Sequence, residues 1–251
     1  MGDGMNEPRL SNEPRLILYE LAGSDPQLRF SPHCWKIRMA LAHKGLQADR
    51  RPWRFTDKEA IAFSGQGLVP VLIDGAHVVS DSWRIALHLE ERFADRPSLF
   101  GAPQAAAVTR FVNSWADMAL LPAISRLILL DIYAILDEKD RDYFRATREQ
   151  RFGKTLEQVV QDQQVHLDRL RHTLTPLRHL LGAQAFLGGL QPNYADYCVF
   201  GMFMWARCTS PVALLATEDT IHAWRERLLD LFDGLARQAP RRKAIPELPD
   251  A

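Results

Sequence analysis

The chain has 251 residues, and its 31 basic and 31 acidic side chains give a formal net charge of zero. This balance disfavours binding to nucleic acid or to an anionic membrane, since both attract proteins with an excess of positive charge. Hydrophobic residues make up 47% of the sequence, which is enough for a folded core. No uninterrupted apolar run approaches the roughly 20 residues of a membrane-spanning helix, so we expect a soluble protein.

The sequence has three cysteines, Cys34, Cys198 and Cys208, with no metal-ligand spacing. An odd and sparse set predicts neither a disulfide framework nor a metal site, and it favours a reducing, cytoplasmic location. The N-terminus lacks the apolar segment of a signal peptide. Within it, Asn-Glu-Pro-Arg-Leu occurs twice, at 6–10 and 12–16, and its prolines predict a disordered extension over residues 1–15.

The first predicted elements are a strand, a helix and a second strand. Leu16–Leu21 is an apolar run of strand length. Ser31 followed by Pro32 is a strong helix start, with serine as the N-cap, and the helix extends to Gly45. A weak alternation over Arg50–Phe55 predicts the second strand.

Two further strands and a helix follow. Val69–Ile73 is predicted as a buried strand, and Asp74-Gly75 is a hairpin signal that leads into Ala76–Val79. Asp81-Ser82 then begins another helix.

From about residue 102 to residue 238 the sequence has almost no strand pattern and much helical periodicity. We therefore predict a small α/β domain over residues 16–97 and a linker over 98–103. An all-helical domain over 104–238 and a C-terminal tail over 239–251 complete the predicted organisation.

Three motifs in the first domain could carry chemistry. Ser31-Pro32-His33-Cys34 has the layout of a Cys-Pro-X-Cys dithiol motif with serine in the leading position, which leaves a hydroxyl where a helix N-terminus favours an anion. A cis bond before Pro70 would leave the Val69 backbone free to face a peptide ligand. Asp81 and Ser82 could hold an amino-acid head group. Each serine could equally be a plain helix cap.

The order of these three motifs, followed by a helical domain, resembles the organisation of the cytosolic glutathione transferases. A fourth motif agrees: Phe186-Leu187-Gly188-Gly189 together with residues 192–197 is similar to the capping motif of that family's helical domain. In that motif, the side chains of Asn193 and Asp196 would each accept a hydrogen bond from the backbone N–H of the other, so their role would be structural. The resemblance implies a thioredoxin-like N-terminal domain and an all-α C-terminal domain, with glutathione as the cosubstrate and no metal.

The same resemblance implies roles for individual residues. Ser31 would donate a hydrogen bond to the glutathione sulfur and activate the thiolate, and the Val69 backbone before Pro70 would pair with the cysteinyl part. Asp81 and Ser82 would hold the γ-glutamyl group. For the glycyl carboxylate the candidates, in order, are Gln66, Arg54 and Lys44.

Finer similarity points to the class that contains bacterial lignin β-aryl-etherases and related fungal transferases. It rests on Ser-Pro-X-X-Trp-Lys at 31–36, Asp81-Ser82-Trp83, residues 140–150 and residues 231–235. The resemblance implies a hydrophobic aromatic electrophile, β-aryl ether cleavage as one possible reaction, and a homodimer. Trp115, Met118, Leu121 and Tyr133 are the candidates for the electrophile pocket, although such a stripe is more often core.

Other interpretations remain open at this stage. Cys34 could be a thiol nucleophile, His33 a general base, and Tyr19 the hydroxyl donor used by other transferase classes. The chain could also be a noncatalytic binding or scaffold protein that keeps the transferase fold. Retention of Ser31, Pro70, Asp81 and Ser82 argues against a scaffold, which has no need of a thiol site.

Overall fold

The structure is a computed structural model that describes residues 16–102 and 104–242. The predicted disordered extension, residues 1–15, lies outside the described residues. Residues 243–251 of the predicted tail and residue 103 of the predicted linker lie outside them as well.

The N-terminal domain is a four-stranded mixed sheet with strand order β2-β1-β3-β4. Strands β1 and β2 are parallel, whereas β3 is antiparallel to both β1 and β4. This arrangement confirms the predicted thioredoxin-like fold. The elements are β1 (Leu16–Leu21), α1 (Pro32–His43), β2 (Ala48–Trp53), a 3₁₀ helix (Lys58–Ser64), β3 (Val71–Asp74), β4 (His77–Ser80) and α2 (Ser82–Arg92).

The boundaries of β2, β3 and β4 differ from the prediction by one or two residues, and for β2 and β3 the reasons are identifiable. Strand β2 begins and ends two residues earlier than the predicted 50–55, because it is an edge strand whose charged side chains carry no hydrophobic alternation to mark it. Strand β3 begins at Val71 rather than at Val69, since Pro70 has no N–H to contribute to a ladder.

The C-terminal domain is entirely helical among its described residues, as predicted. Its elements are α3 (Ala105–Trp115), a π-helical turn (Ala116–Leu120), α4 (Leu121–Ile135), α5 (Glu138–Phe152), α6 (Leu156–Val160), α7 (Gln163–Thr173), α8 (Thr175–Leu181), α9 (Tyr194–Thr209) and α10 (Thr220–Gly234). Helix α9 is buried along nearly its whole length, so it forms the centre of this domain.

Helix α3, the π-helical turn and α4 form one continuous rod over Ala105–Ile135. Pro122 lacks the N–H that an α-helix would direct to the carbonyl of Met118, and its ring crowds that carbonyl. The wider π-helical turn directly before α4 accommodates the proline. By length and composition alone this rod is long and apolar enough to cross a membrane, although charged residues such as Asp117 and Arg126 interrupt it, so it contains no uninterrupted apolar run of that length. Here it packs against α9 inside the helical domain.

The two domains meet where α1 packs against α9. A β-carbon at Gly201 would overlap the backbone carbonyl oxygen of Pro32, so glycine is what allows the two helices to approach this closely. The fully buried Lys36 extends the contact: its Nζ donates to Asn113 Oδ1 at 2.8 Å and to Asp117 Oδ1 at 2.7 Å. The first turn of α1 is therefore held by the helical domain.

The capping motif before α9 is confirmed. Asn193 Oδ1 accepts from the Ala195 N–H, and Asp196 accepts from the Asn193 N–H, as a capping box requires. Asp196 also accepts from the backbone N–H groups of Leu187 and Gly188. Its fourth donor is the indole Nε1 of Trp224 on α10, at 2.8 Å. One carboxylate thus joins the loop before α9 to two helices.

Candidate active site

Ser31 is the N-cap of α1 and is almost fully buried. Its Oγ accepts a hydrogen bond from the Cys34 N–H at 3.3 Å, and Pro32 occupies the first helical position, as predicted. The hydroxyl therefore lies where the unpaired N–H groups of the helix create a partial positive charge. A negatively charged sulfur or oxygen atom beside Ser31 would be stabilised by both the hydroxyl and the helix.

Val69 and Pro70 lie between the 3₁₀ helix and β3, and the peptide bond between them is cis. Pro70 is buried, whereas Val69 is partly exposed and lines the same cavity as Ser31. The structure thus brings the first two predicted motifs together at one cavity.

Asp81 and Ser82 begin α2. Asp81 Oδ1 accepts from the N–H groups of Trp83 and Arg84, both at 3.1 Å, so the capping interpretation holds for this residue. Its φ of 76° is rare for a residue other than glycine and costs about 1–3 kcal/mol, a strain that often marks a functional position. Ser82 is buried, and its carbonyl accepts from the Tyr194 hydroxyl at 2.8 Å.

The three candidates for a carboxylate partner already have partners of their own. The amide of Gln66 bonds both the N–H and the carbonyl of Leu68, each at 2.7 Å. Arg54 forms an ion pair with Asp137 at 3.0 Å and donates to a backbone carbonyl. Lys44 is fully buried and pairs with Glu90 at 2.8 Å, so it serves the fold.

Lys58 is a cation near the candidate site that the sequence does not predict. Its Nζ donates to the carbonyl of Gly67, in the loop that leads to Val69, at 2.8 Å. It also lies over the rings of Trp53 and Tyr143. No sequence signal distinguishes this lysine from the other surface lysines, because its position depends on the path of the loop.

The cavity next to Ser31 has a volume of about 290 Å³ and lies between the two domains, as predicted. The N-terminal domain contributes Ser31 and Val69 together with several aromatic side chains. The helical domain contributes residues of α4, α5 and α9, among which are Leu121, Ile132, Phe144, Arg148, Arg151 and Trp205.

Three of the four residues predicted to form the electrophile pocket, Trp115, Met118 and Tyr133, do not line this cavity. Met118 is 79% exposed, and Trp115 lies half-buried at the end of α3, beside the same π-helical turn. That turn changes the angle between successive side chains, so a regular α-helical spacing predicts the wrong face. Tyr133 faces away, towards Arg145, whose guanidinium lies 4.7 Å from its ring centre. Leu121, from the same stripe, does line the cavity.

The competing nucleophile and base are poorly suited to chemistry. Cys34 is fully buried, and burial raises the pKa of its thiol to about 12, so it remains protonated at neutral pH. His33 lines the same cavity as Ser31, but burial and the nearby charge of Lys36 lower the pKa of its imidazole to about 4, which makes it a weak base. The ring of Tyr19 packs against Phe63, with 5.7 Å between ring centres, and does not line the cavity.

Larger cavities lie elsewhere on the surface. One of about 600 Å³ lies between α9 and α10 and reaches Arg241 and Arg242, beside residues that the structure does not describe. Another of about 740 Å³ follows α3. Neither includes Ser31 or Val69, so we take the smaller interdomain cavity as the candidate active site.

Comparisons with known proteins match both domains of the chain. The model of the glutathione S-transferase N-terminal domain matches residues 30–92, and that of the C-terminal domain matches residues 107–230. A zeta-class glutathione S-transferase from Euphorbia esula is 35% identical over 94 residues, which are 35% of this chain and 38% of that relative. A glutathione S-transferase-like protein from Aspergillus flavus is 25% identical over 82% of this chain and 80% of its own length.

Solved structures show the same fold. A glutathione S-transferase of Ceriporiopsis subvermispora, in complex with glutathione, has a TM-score of 0.77 at 22% identity over 87% of this chain and 96% of its own. A glutathione transferase from Phanerochaete chrysosporium has a TM-score of 0.71 at 26% identity over 88% and 92%. The two family models match the segments that form the two domains. The chain therefore belongs to the glutathione S-transferase superfamily.

Proposed function

We propose that the protein is a serine-type glutathione transferase in which the Ser31 hydroxyl donates a hydrogen bond to the thiolate of bound glutathione. The observation that carries the proposal is the position of Ser31, at the N-terminus of α1 and in the wall of an interdomain cavity with apolar side chains. A nucleophile activated there would meet a hydrophobic electrophile held in the same cavity.

The energies required are of the right size. A free thiol has a pKa of about 8.5, and lowering it by two units requires about 2.7 kcal/mol of preferential stabilisation of the thiolate. A hydrogen bond from a hydroxyl to a charged acceptor supplies about 1.5–3 kcal/mol. The helix N-terminus supplies about 0.3–1 kcal/mol more. Ser31 and α1 together can therefore keep most of the bound cosubstrate ionised at neutral pH.

We assign the remaining glutathione contacts by the family resemblance. The backbone of Val69, fixed by Pro70, pairs with the cysteinyl part, and Asp81 with Ser82 holds the γ-glutamyl group. Gln66 remains our first candidate for the glycyl carboxylate and Arg54 the second, although each would have to exchange a present contact.

In the reaction, the thiolate sulfur attacks an electrophilic carbon of a hydrophobic aromatic compound. A carbon–sulfur bond forms, the bond to the leaving group breaks, and the leaving group departs with the electron pair and takes a proton from solvent. With a β-aryl ether ketone the leaving group is a phenolate, and the neighbouring carbonyl speeds the displacement. We propose this ether cleavage as the specific reaction on the strength of the sequence similarity to the etherase class.

We further propose that the protein is a cytoplasmic homodimer. Its described cysteines are free and buried, which fits a reducing compartment. On α3 and the π-helical turn, Val108, Phe111 and Met118 are all at least 67% exposed. An apolar stripe of this kind favours burial against another protein surface, and in this superfamily the partner is a second copy of the chain.

The test is Ser31→Ala, with Ser24→Ala as the control in a nearby exposed serine. Removing the hydroxyl should raise the pKa of bound glutathione by one to two units and lower kcat/KM for an aromatic electrophile by about 10- to 100-fold. The pKa is measured from the thiolate absorbance of the binary complex as a function of pH. An unchanged pKa and rate would remove Ser31 from this role, and failure of the unmodified protein to bind glutathione in calorimetry would contradict the transferase assignment.

A further inference from the structure

Two arginines of α5, Arg148 and Arg151, line the cavity that contains Ser31. The guanidinium of Arg148 lies 4.6 Å from the ring centre of Phe144 and 5.0 Å from that of Phe55. Its Nη1 donates to the neutral Thr147 hydroxyl at 2.9 Å. Within residues 16–102 and 104–242, neither arginine forms an ion pair with a carboxylate.

Arg145, on the same helix, has the opposite surroundings. Its guanidinium pairs with Glu149 at 2.8 Å and with Glu157 at 2.9 Å, away from the cavity. On the side of α5 that faces away from the cavity, Arg145 is thus neutralised by two glutamates. On the side that faces the cavity, Arg148 has no counter-charge among the described residues. Burial lowers the pKa of Arg148, and the like charge of Arg151 lowers it further. An anion in the cavity would offset both effects through its opposite charge.

The position of Arg148 is fixed by the other domain. The buried carboxylate of Asp140, in the first turn of α5, accepts from the N–H groups of Phe55 and Thr56 at 2.9 and 3.0 Å. Asp140, Phe144 and Arg148 are spaced by four residues, so they lie on one face of the helix. The hydrogen bonds to Asp140 therefore hold this face, with its arginine, over the N-terminal domain.

We propose that Arg148, with Arg151 beside it, makes this cavity selective for aromatic electrophiles that carry a carboxylate. The inference rests on the proposed function and names the substrate class of the same site. A guanidinium binds a planar carboxylate through two parallel hydrogen bonds, a geometry that a neutral polar group cannot supply. The aromatic faces beside Arg148 pack against the substrate ring, while the guanidinium receives the charged end.

The dimensions of the cavity suit a single substituted ring. Phe30 precedes Ser31 in the chain, and its ring centre lies 6.5 Å from that of Phe55. The Arg148 guanidinium lies 5.0 Å from the same Phe55 ring centre. Ser31 and Arg148 line the same cavity, so one substituted ring in it could present its electrophilic carbon to the first and its carboxylate to the second. The cavity volume of about 290 Å³ is consistent with such a compound.

The experiment compares 4-chloro-3-nitrobenzoate with 4-chloro-3-nitrobenzamide, which differ in charge but hardly in shape. Each kcat/KM is divided by the rate constant of the uncatalysed reaction with glutathione, because the two rings differ in intrinsic reactivity. We expect the unmodified protein to prefer the benzoate by about tenfold or more, as a charge-assisted pair would give. Arg148→Gln should remove this preference, because it should raise KM for the benzoate by more than KM for the benzamide.

Two further variants separate charge from geometry. Arg148→Lys keeps the charge without the planar fork and should recover only part of the preference. Arg171→Gln, on the exposed side of α7, makes the same change in net charge outside the cavity and should leave the preference unchanged. An equal loss with both substrates would show that Arg148 serves folding or catalysis in general, and no loss with either would overturn the inference.

A binding measurement tests the inference even if neither chloride reacts. Trp53 and Trp205 line the cavity, so tryptophan fluorescence can follow titration with 3-nitrobenzoate and 3-nitrobenzamide. We expect tighter binding of the benzoate and loss of that difference in Arg148→Gln. Equal affinities would contradict selectivity for an anion. Failure of the transferase assignment has a different signature, namely absence of turnover with intact discrimination in binding.

Discussion

At the scale of single residues, Ser31 reconciles two interpretations that its sequence left open. Its Oγ accepts a hydrogen bond from the Cys34 N–H, so it is a helix cap. A hydroxyl that accepts in this way still has its own proton to donate, so capping α1 and stabilising a thiolate are compatible. A leading cysteine would provide only a weaker acceptor and a weaker donor. The hydroxyl therefore serves both the helix and the proposed chemistry.

Cys34 gives the second prediction at this scale. Because burial raises the pKa of its thiol to about 12, Cys34→Ala should retain glutathione conjugation to within about twofold. The thiol of the unmodified protein should also resist iodoacetamide under native conditions, as measured by mass spectrometry of the intact chain. Loss of most activity in Cys34→Ala, together with rapid alkylation of Cys34, would instead identify a catalytic thiol.

At the scale of elements, the sequence predicts those that have strong local signals. The helix starts at Ser31 and Asp81 and the hairpin at Asp74-Gly75 all occur where turn and cap chemistry indicates them. The edge strand β2 is shifted because charged side chains on an edge have no buried face to mark it. These elements depend on local propensity, which a single sequence contains.

The electrophile pocket could not be predicted in the same way. The π-helical turn before Pro122 changes which side chains of α3 and α4 share a face, and helical periodicity cannot detect that change. The sequence did contain a pattern that could have identified Arg148, namely the four-residue steps from Asp140 to Phe144 and from Phe144 to Arg148. Recognising that this face closes over the N-terminal domain, however, requires the long-range hydrogen bonds of Asp140 to Phe55 and Thr56.

The capping motif before α9 supports a prediction about stability. Asp196→Ala would leave four donors without their acceptor, so we expect a loss of roughly 3–5 kcal/mol in the free energy of unfolding. At about 2–4 °C per kcal/mol, Tm should fall by on the order of 10 °C. Differential scanning calorimetry measures the change, and Asp168→Ala on the exposed surface of α7 is the control. A fall no larger than that of the control would contradict the structural role.

At the scale of the whole molecule, the continuous rod of α3 and α4 has two environments. One side of the rod packs against α9. Of the most apolar stretch of the rod, however, only 44% is buried within the chain. Phe111 and Met118 are exposed by 72% and 79% on the uncovered side. The rod is therefore a core helix with one apolar face that the rest of the chain leaves exposed, and the proposed dimer would bury that face.

Phe111→Asp tests this at the same scale. A carboxylate in the middle of an apolar interface would have to be buried without a partner, so the variant should be a monomer at concentrations where the unmodified protein is a dimer. Sedimentation equilibrium measures the mass. Leu190→Asp is the matched control, because Leu190 is 87% exposed and lies outside the rod. A monomeric unmodified protein, or a dimeric Phe111→Asp, would contradict the proposed assembly.

The close approach at Gly201 has a consequence for recombination between relatives. Because the Pro32 carbonyl lies against the backbone of α9, the N-terminus of α1 is shaped by a helix that begins more than 160 residues later in the chain. A chimaera that joins this N-terminal domain to another helical domain would have to inherit glycine at this position, and also a partner for Lys36. This N-terminal domain would thus be exchangeable only together with a matching helical domain, since the end of α1 that carries Ser31 is shaped partly by the domain that does not contain it.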